Sequence, residues 1–385
     1  MEHHTDLLIV GAGPFGLAMA AWAGEQGIEH IVVGKPMDLW RANMPQEMIL
    51  RSHCDWHLDP AGIDTIERYL ESRGLTPAAV EPLSRDFYLG YVDWFMARKG
   101  LAPIADLVQR LDTADGSFLA TLESGARITA NNVLLAIGFR YFQYVPDELA
   151  RLLPQPRVAH TCELVDFEPL RDKRCLIIGG RQSAFEWAAL LAEHGAATVH
   201  VSHRHPTPEF TDSEWGWINE MMARFLTEPA WYRNLTGSEQ EAVQNKFAEA
   251  RIKLEPWLWP RIDKSNVFLW PETRVVSCAE SASGELEIGL DNDETLAIDQ
   301  VVLATGYRVD MQRVPFLAAG NILDKLALNE GYPVLDDAFH SSVPGLYVTS
   351  LPATRDFGPF FGFTVAVGIS AKLIAQALID NRRTR

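Results

Sequence analysis

The 385-residue sequence predicts an α/β chain of two dinucleotide-binding units, the second inserted into the first. Three observations predict it. An apolar strand runs straight into GAGPFG (Gly11 to Gly16), and a second apolar strand runs into GGRQSA (Gly179 to Ala184). Downstream of each, an apolar strand ends in glycine: LLAIG at Gly138 and VLATG at Gly306. Two such starts in one chain are far more specific than one, because each motif has the strand before it and the helix after it.

The elements follow in order. Leu7 to Val10 reads as the first strand. Gly11, Gly13 and Gly16 then match G-x-G-x-x-G. The first glycine allows the turn, the second lets backbone approach a pyrophosphate, and the third lets the helix pack on the strand. The helix, about residues 13–26, offers free N–H groups to an anion and ends at Gly27. His30 to Val33 is the next strand. Met37 to Pro60 has no single period and reads as an ordered loop with short helices. Ile63 to Gly74 and Ser84 to Gly100 read as helices, the second with Ser84 as N-cap. Phe118 to Gly138 reads as a hairpin followed by a buried strand, Val133 to Ile137.

The second unit starts at Ile177 and its second strand runs into Ser202-His203-Arg204-His205. His205 to about Arg261 is rich in tryptophan and helix formers. VFLW, VVSCAE and the stretch from Leu286 to Gly306 are β-like. GLYVTS is a strand, and a final helix runs from about Val365 to Asp380. The expected division is 1–165 and 300–385 for the first unit and 166–299 for the second, with a Trp-rich helical insert at about 205–261.

Composition narrows the partners. Apolar residues make up 47% and charged residues 22%, which indicates a globular chain with a sizeable core. The net charge of -17 argues against nucleic acid and anionic membranes. No apolar run reaches the length of a membrane helix, and the opening residues MEHHTD lack a signal peptide's apolar segment. A cytoplasmic chain is the expectation. The four cysteines, Cys54, Cys162, Cys175 and Cys278, form neither C-x-x-C nor a metal-ligand spacing, so no metal is expected.

This arrangement resembles the two-dinucleotide-binding-domain flavoproteins, with two Rossmann-like domains, the NAD(P)H domain inserted in the FAD domain. Thioredoxin and disulfide reductases need a redox cysteine pair, which this chain lacks. The resemblance is therefore closer to the class B flavin-dependent monooxygenases, both the flavin-containing and the N-hydroxylating kinds. It rests on GAGPFG, on LWR, MP and LRS between Leu39 and Ser52, on GGRQSA, and on ATGY (Ala304 to Tyr307). The segment Pro208 to Phe225 also looks like the one after the nicotinamide unit in N-hydroxylating enzymes.

The resemblance implies a cycle. NADPH, or NADH as the alternative, reduces FAD. Dioxygen adds to the flavin as a hydroperoxide, and one oxygen atom passes to a small nucleophilic substrate at nitrogen, sulfur or carbon. It implies FAD contacts from Gly11, Gly13, Pro14, Phe15, Gly16 and Gly138. Trp40, Arg41, Leu50, Arg51 and Ser52 follow by family position. Ser52, His53 and His57 are the candidates for steadying the flavin or moving protons, since imidazole titrates near neutrality; a structural histidine is the plain alternative. The stretch RDFGPFFGF resembles the C-terminal FAD loop and brings in Gly358, Phe360 and Phe361. Gly179, Gly180, Arg181, Gln182 and Ser183 are the expected nicotinamide turn, and Gly306, in ATGY, is a further expected cofactor contact. A reductase or electron-transfer flavoprotein that never oxygenates is the alternative enzyme. A nucleotide sensor with a blocked second site is the non-enzymatic one.

The sequence departs from the family pattern at four places. Pro154, Pro156 and Leu164 replace the Phe, Gly and aromatic positions of the usual fingerprint, leaving only His160. Gly34 stands where an FAD unit usually offers an acid to the ribose, so Lys35 or a backbone group is expected to serve. Ser202 and Arg204 stand where an acid would favour NADH, and suit a 2′-phosphate instead. Arg181 replaces the second glycine. It could point away, lie across the pyrophosphate, or block the site; a non-glycine is tolerable there if φ stays negative. Five tryptophans between 215 and 259 could wall a substrate pocket, form a homodimer interface, or simply pack. Glu209, Asp212 and Glu214 beside them could meet a cationic amine.

Overall fold

The first strand is longer than its apolar run. It spans Glu2–Val10, because its polar half pairs in parallel with the strand Arg127–Leu135, from Glu2 opposite Arg127 to Val10 opposite Leu135. The computed structural model describes residues 2–213 and 215–383. In the first sheet the order is His30–Val33, Glu2–Val10, Arg127–Leu135, Ser117–Leu122, Val108–Ala114. The hairpin strand and the buried strand expected around Val133 are one nine-residue strand. Its first half pairs antiparallel with Ser117–Leu122, and its last three residues pair in parallel with Leu346–Val348. That change of partner is why one strand reads as two.

The helices keep their local signals. Pro14–Glu25 follows Gly13, as the turn requires. Arg85–Lys99 is capped by Ser84, whose hydroxyl accepts from the Phe87 N–H, and ends in left-handed Gly100. The final helix, Val367–Arg383, packs along Pro14–Glu25.

The second sheet is fully parallel, in the order Val158–His160, Gln300–Leu303, Arg174–Ile178, Thr198–His203, Val267–Pro271. Two of these strands, Val158–His160 and Gln300–Leu303, lie in the segments 1–165 and 300–385 expected to form the first unit. They pair in the second sheet because the return strand must lie beside Arg174–Ile178 for the Gly179 turn to rest on its end. A three-stranded antiparallel sheet, Val275–Glu280, Leu286–Leu290 and Thr295–Ile298, follows.

The insert also crosses the expected boundary. Its helices Trp217–Arg224 and Gly237–Ile252 carry Ile218, Met222 and Phe247 into the hydrophobic core of the first unit. Leu254, Leu258 and Ile262, just beyond, join the core of the second. Phe225 is fully buried, and full burial of one such side chain is worth on the order of 2 kcal/mol. Several together fasten the insert to the C-terminal loop. The contacts there are edge-to-face ring pairs: Trp217 on Phe360 at 5.2 Å, Phe247 on Phe360 at 4.9 Å and Phe225 on Phe361 at 5.0 Å.

Candidate active site

A long cavity opens at the end of the first sheet, over the first glycine turn. Gly11 takes φ +114°, and a Cβ there would stand 2.3 Å from the Ala136 carbonyl oxygen. A Cβ on Gly16 would lie 1.8 Å from the Gly11 oxygen, so this glycine sets how closely the helix meets the strand. Gly13 differs. Nothing lies within 4 Å of a Cβ at that position, and Gly13 lines the cavity. The helix Pro14–Glu25 opens with no side-chain cap and no acid in its first turn. Backbone N–H groups and the helix dipole are therefore left for an anion. This cradle fits a dinucleotide pyrophosphate.

At one end of the cavity stand Gly34, Lys35 and Asp106. Gly34 has φ +152°, and a Cβ would sit 2.7 Å from the Ala12 nitrogen. No acidic side chain has room there, because the strand end presses on the turn. Asp106 brings a carboxylate to this end from the start of the next strand. Ser124 holds its carboxyl below the usual range.

At the other end are Trp40, Ser52, Phe139, Ser350, Phe363 and Thr364. Trp40 stacks on Tyr88 at 4.8 Å. Thr364 lines the cavity, and its buried hydroxyl closes no hydrogen bond among the described residues. A buried hydroxyl facing a cavity without a partner is a site for a ligand's heteroatom. Ser350 adopts φ +67°, an uncommon conformation for a side-chain-bearing residue, at the same wall.

Of the residues singled out from sequence, Gly11, Gly13, Pro14, Phe15, Lys35, Trp40, Ser52 and Gly138 line this cavity. Others lie elsewhere. Arg41 pairs with Asp93 at 2.6 Å on the surface. Leu50 is core, its N–H donating to the Leu83 carbonyl. His53 faces Glu81 at 3.9 Å, and His57 is largely buried with Nδ1 unpartnered; neither reaches the cavity. Phe360 and Phe361 are core, and Gly358 rests against the Tyr232 ring. The C-terminal loop touches the cavity slightly later, at Gly362, Phe363 and Thr364. Asp106, Phe316 and Ser350 carried no local motif and were missed.

Arg51 is a tie between units. Its guanidinium donates to Glu255 at 2.7 Å, to the Ser213 hydroxyl, and to the carbonyls of Ala250 at 3.3 Å and Arg251 at 3.4 Å. The tryptophans mostly pack, Trp215 under Arg51 at 5.2 Å and Trp217 on Phe360, while Trp259 is exposed. Glu209 and Asp212 are exposed, and Glu214 lies outside the described residues.

The second turn repeats the first. Gly179 has φ +152°, and its Cβ would stand 2.5 Å from the Ala304 oxygen, as Gly11 does from Ala136. Arg181 sits at φ −117°, ψ −177°, ordinary extended backbone that any L-residue adopts. The lost glycine therefore costs the turn nothing. Gly180 is hemmed by His203 and His205, with His205 Nε2 2.5 Å from a Cβ placed there. Ser202 is buried and donates its hydroxyl to the Thr273 carbonyl at 3.2 Å, which turns it into the sheet, while Arg204 is exposed. Gly306 lies behind the turn, its carbonyl accepting from His160 Nε2 at 3.0 Å. His160 is buried, and its Nδ1 meets Cys162 Sγ at 3.0 Å, so both ring nitrogens are engaged.

Burial lowers the pKa of His57, His160, His200 and His203 below 6.5. Each is neutral when folded, so below pH 6.5 the unfolded chain binds more protons. Their stabilisation is full above pH 6.5 and is lost as pH falls through the lowered values. The melting temperature should drop between pH 7.5 and pH 5.5, and His160→Gln should flatten that drop. An unchanged slope in the variant would remove His160 from the account.

Fold and site define an oxidoreductase of the flavoprotein class with two nested dinucleotide-binding domains. The chain belongs to the pyridine nucleotide-disulphide oxidoreductase family, whose profile matches residues 8–245. An FAD-dependent urate hydroxylase of Xanthomonas campestris pv. campestris is 27% identical over 52% of this chain, a match spanning 45% of that protein. Indole-3-pyruvate monooxygenase YUCCA1 of Oryza sativa subsp. japonica is 28% identical over 78% of this chain and 76% of its own. The ornithine N-hydroxylase KtzI of Kutzneria sp. 744 superposes with a TM-score of 0.82 over 99% of this chain and 100% of its own. At 16% identity that likeness is one of fold. The resemblance read from sequence thus runs to the same monooxygenases. No helix of the described residues is long and apolar enough to cross a membrane.

Proposed function

We propose that this chain is an FAD-dependent, NADPH-consuming monooxygenase that transfers one oxygen atom of dioxygen to a small nucleophilic substrate. The observation that supports it is the cavity over Gly11–Gly16, where the open Gly13 turn leaves backbone N–H groups for a pyrophosphate. The open Gly13 turn would hold the pyrophosphate, Lys35 and Asp106 the ribose, and Trp40, Ser52 and Thr364 the ring system. Bound there, the flavin supplies reduction by the nicotinamide and activation of dioxygen. The protein's part is placement and exclusion of water. Trp40 and Phe363 wall the ring end, and the Thr364 hydroxyl offers it a hydrogen bond. Cysteine usage supports oxygen as the electron acceptor. None of the four cysteines lines the cavity, and burial pushes the thiols of Cys54 and Cys175 up to about 12 and that of Cys162 up to about 11. No thiolate relay of the disulfide-reductase kind fits this site.

Curated relatives also include ferredoxin–NADP reductases, such as that of Lactococcus lactis subsp. lactis at 26% identity over 72% of this chain. One experiment separates the readings. The purified protein should be yellow and should consume NADPH faster when its substrate is present. Product formed under isotopically labelled dioxygen should carry one labelled atom. Product without the label, or immediate return to oxidised flavin with every compound screened and rapid reduction of ferredoxin, would make it a reductase.

A further inference from the structure

Three guanidinium groups gather at the second turn without an ion pair among the described residues. Arg181 precedes the helix Gln182–Glu193, which opens with no side-chain cap and no acid in its first turn. Arg204 stands in the segment that leaves the neighbouring strand Thr198–His203. Arg251 belongs to the last turn of the insert helix Gly237–Ile252.

The frame around them is rigid. Arg51 grips the carbonyls of Ala250 and Arg251 and the carboxylate of Glu255. The Glu255 N–H in turn donates to Gln182 Oε1 at 3.2 Å. The last turn of the insert helix is thus bolted to the first turn of the nucleotide helix. Gln182 is 9% exposed, and its Nε2 has no acceptor. Burial and the like charges of Arg181 and Arg51 push Arg251 down to about 10, and the exposed Arg181 also feels the like charge of Arg204. Like charges held together this way are destabilising until an anion offsets them.

We propose that Arg181 and Arg251 are the two jaws of a clamp for the pyrophosphate of a nicotinamide dinucleotide. The insert supplies one jaw, so the nucleotide unit alone is incomplete. This rests on the reading of the chain as an NADPH-consuming enzyme. A pyrophosphate carries two charges and suits bidentate guanidinium, while the unpartnered Gln182 amide and the helix N-terminus supply further donors. Arg204 stands at the strand end, where the adenosine ribose is read. With Ser202 turned into the sheet, Arg204 is the remaining side chain for a 2′-phosphate. The second jaw also reaches the flavin cavity. Phe247, one turn before Arg251, packs on Phe360 and on Phe363 at 5.8 Å, and Phe363 lines that cavity.

The test is calorimetric titration of the flavin-loaded protein with NADP+ and NAD+. Arg251→Gln should weaken both alike, by about tenfold or more, and Arg251→Lys should recover part of the loss. Arg204→Gln should weaken NADP+ alone. Without nucleotide, the melting temperature of Arg251→Gln should equal or exceed that of the parent, since a like-charge contact is relieved. Parental affinities in Arg251→Gln would overturn the clamp, as would equal loss in the lysine and glutamine variants. If the parent binds neither nucleotide, the NADPH reading itself fails. Inorganic pyrophosphate then decides the clamp: weaker binding by Arg251→Gln supports it, and equal binding overturns it.

Discussion

Gly11→Ala should give a colourless protein. Two physical terms act at this one position. The backbone sits at φ +114°, where an L-residue is strained, and the new Cβ would stand 2.3 Å from the Ala136 oxygen and 2.8 Å from its carbon. Neither neighbour is a flexible side chain. Both belong to the chain leaving the central strand, and the turn must move off it. Backbone strain and overpacking each cost about 1–3 kcal/mol, so a total loss near 3 kcal/mol or more is expected. The displaced turn also takes the open Gly13 position with it, and the pyrophosphate cradle is lost. Flavin absorbance per mole of protein after purification and the thermal midpoint are the two measurements. Gly13→Ala is the companion: its Cβ meets no protein atom, so stability should hold while flavin is lost. A Gly11→Ala protein that stays yellow with the parental midpoint would contradict the account of this turn.

Arg51→Met should be the most destabilising single change between the two units. The Arg51 side chain is 17% exposed and its partner Glu255 only 8%. Removing the arginine strips a buried carboxylate of its counter-ion, leaving it the Ser213 hydroxyl at 3.3 Å, and takes a donor from two carbonyls; the typical cost is about 3–5 kcal/mol. Replacing both partners, Arg51→Met with Glu255→Leu, should restore much of that stability, because no buried charge is then stranded. Chemical denaturation of the two single variants and the double variant gives the coupling directly. A double variant as unstable as Arg51→Met would mean that the carbonyl contacts dominate.

Local turn chemistry was legible because it depends on a few adjacent residues. The two glycine turns, the Ser84 cap and the Gly100 stop all sit where the sequence places them. Arg181 was readable too, since an extended φ needs no glycine. Positions that depend on remote partners were not readable. Arg51 and Ser52 are neighbours in a loop without periodicity, and only packing sends Ser52 to the cavity and Arg51 to the insert. Ser202 looks like a phosphate ligand by spacing, yet Thr273, from a segment distant in sequence, takes its hydroxyl. Asp106 lines the cavity with Gly34 and Lys35, and no motif announces it. The strand Gln300–Leu303 is legible as a strand, but its pairing with Arg174–Ile178 and Val158–His160 is not, because apolar runs do not name their partners.

The sequence by itself determined that this protein has two dinucleotide turns, one nested within the other, since glycine is required wherever positive φ and close backbone approach coincide. Only the tertiary structure decided which side chains stand near those turns. Asp106 and Arg251 come from separate segments, and their placement is set by packing and by buried ion pairs that no local pattern encodes.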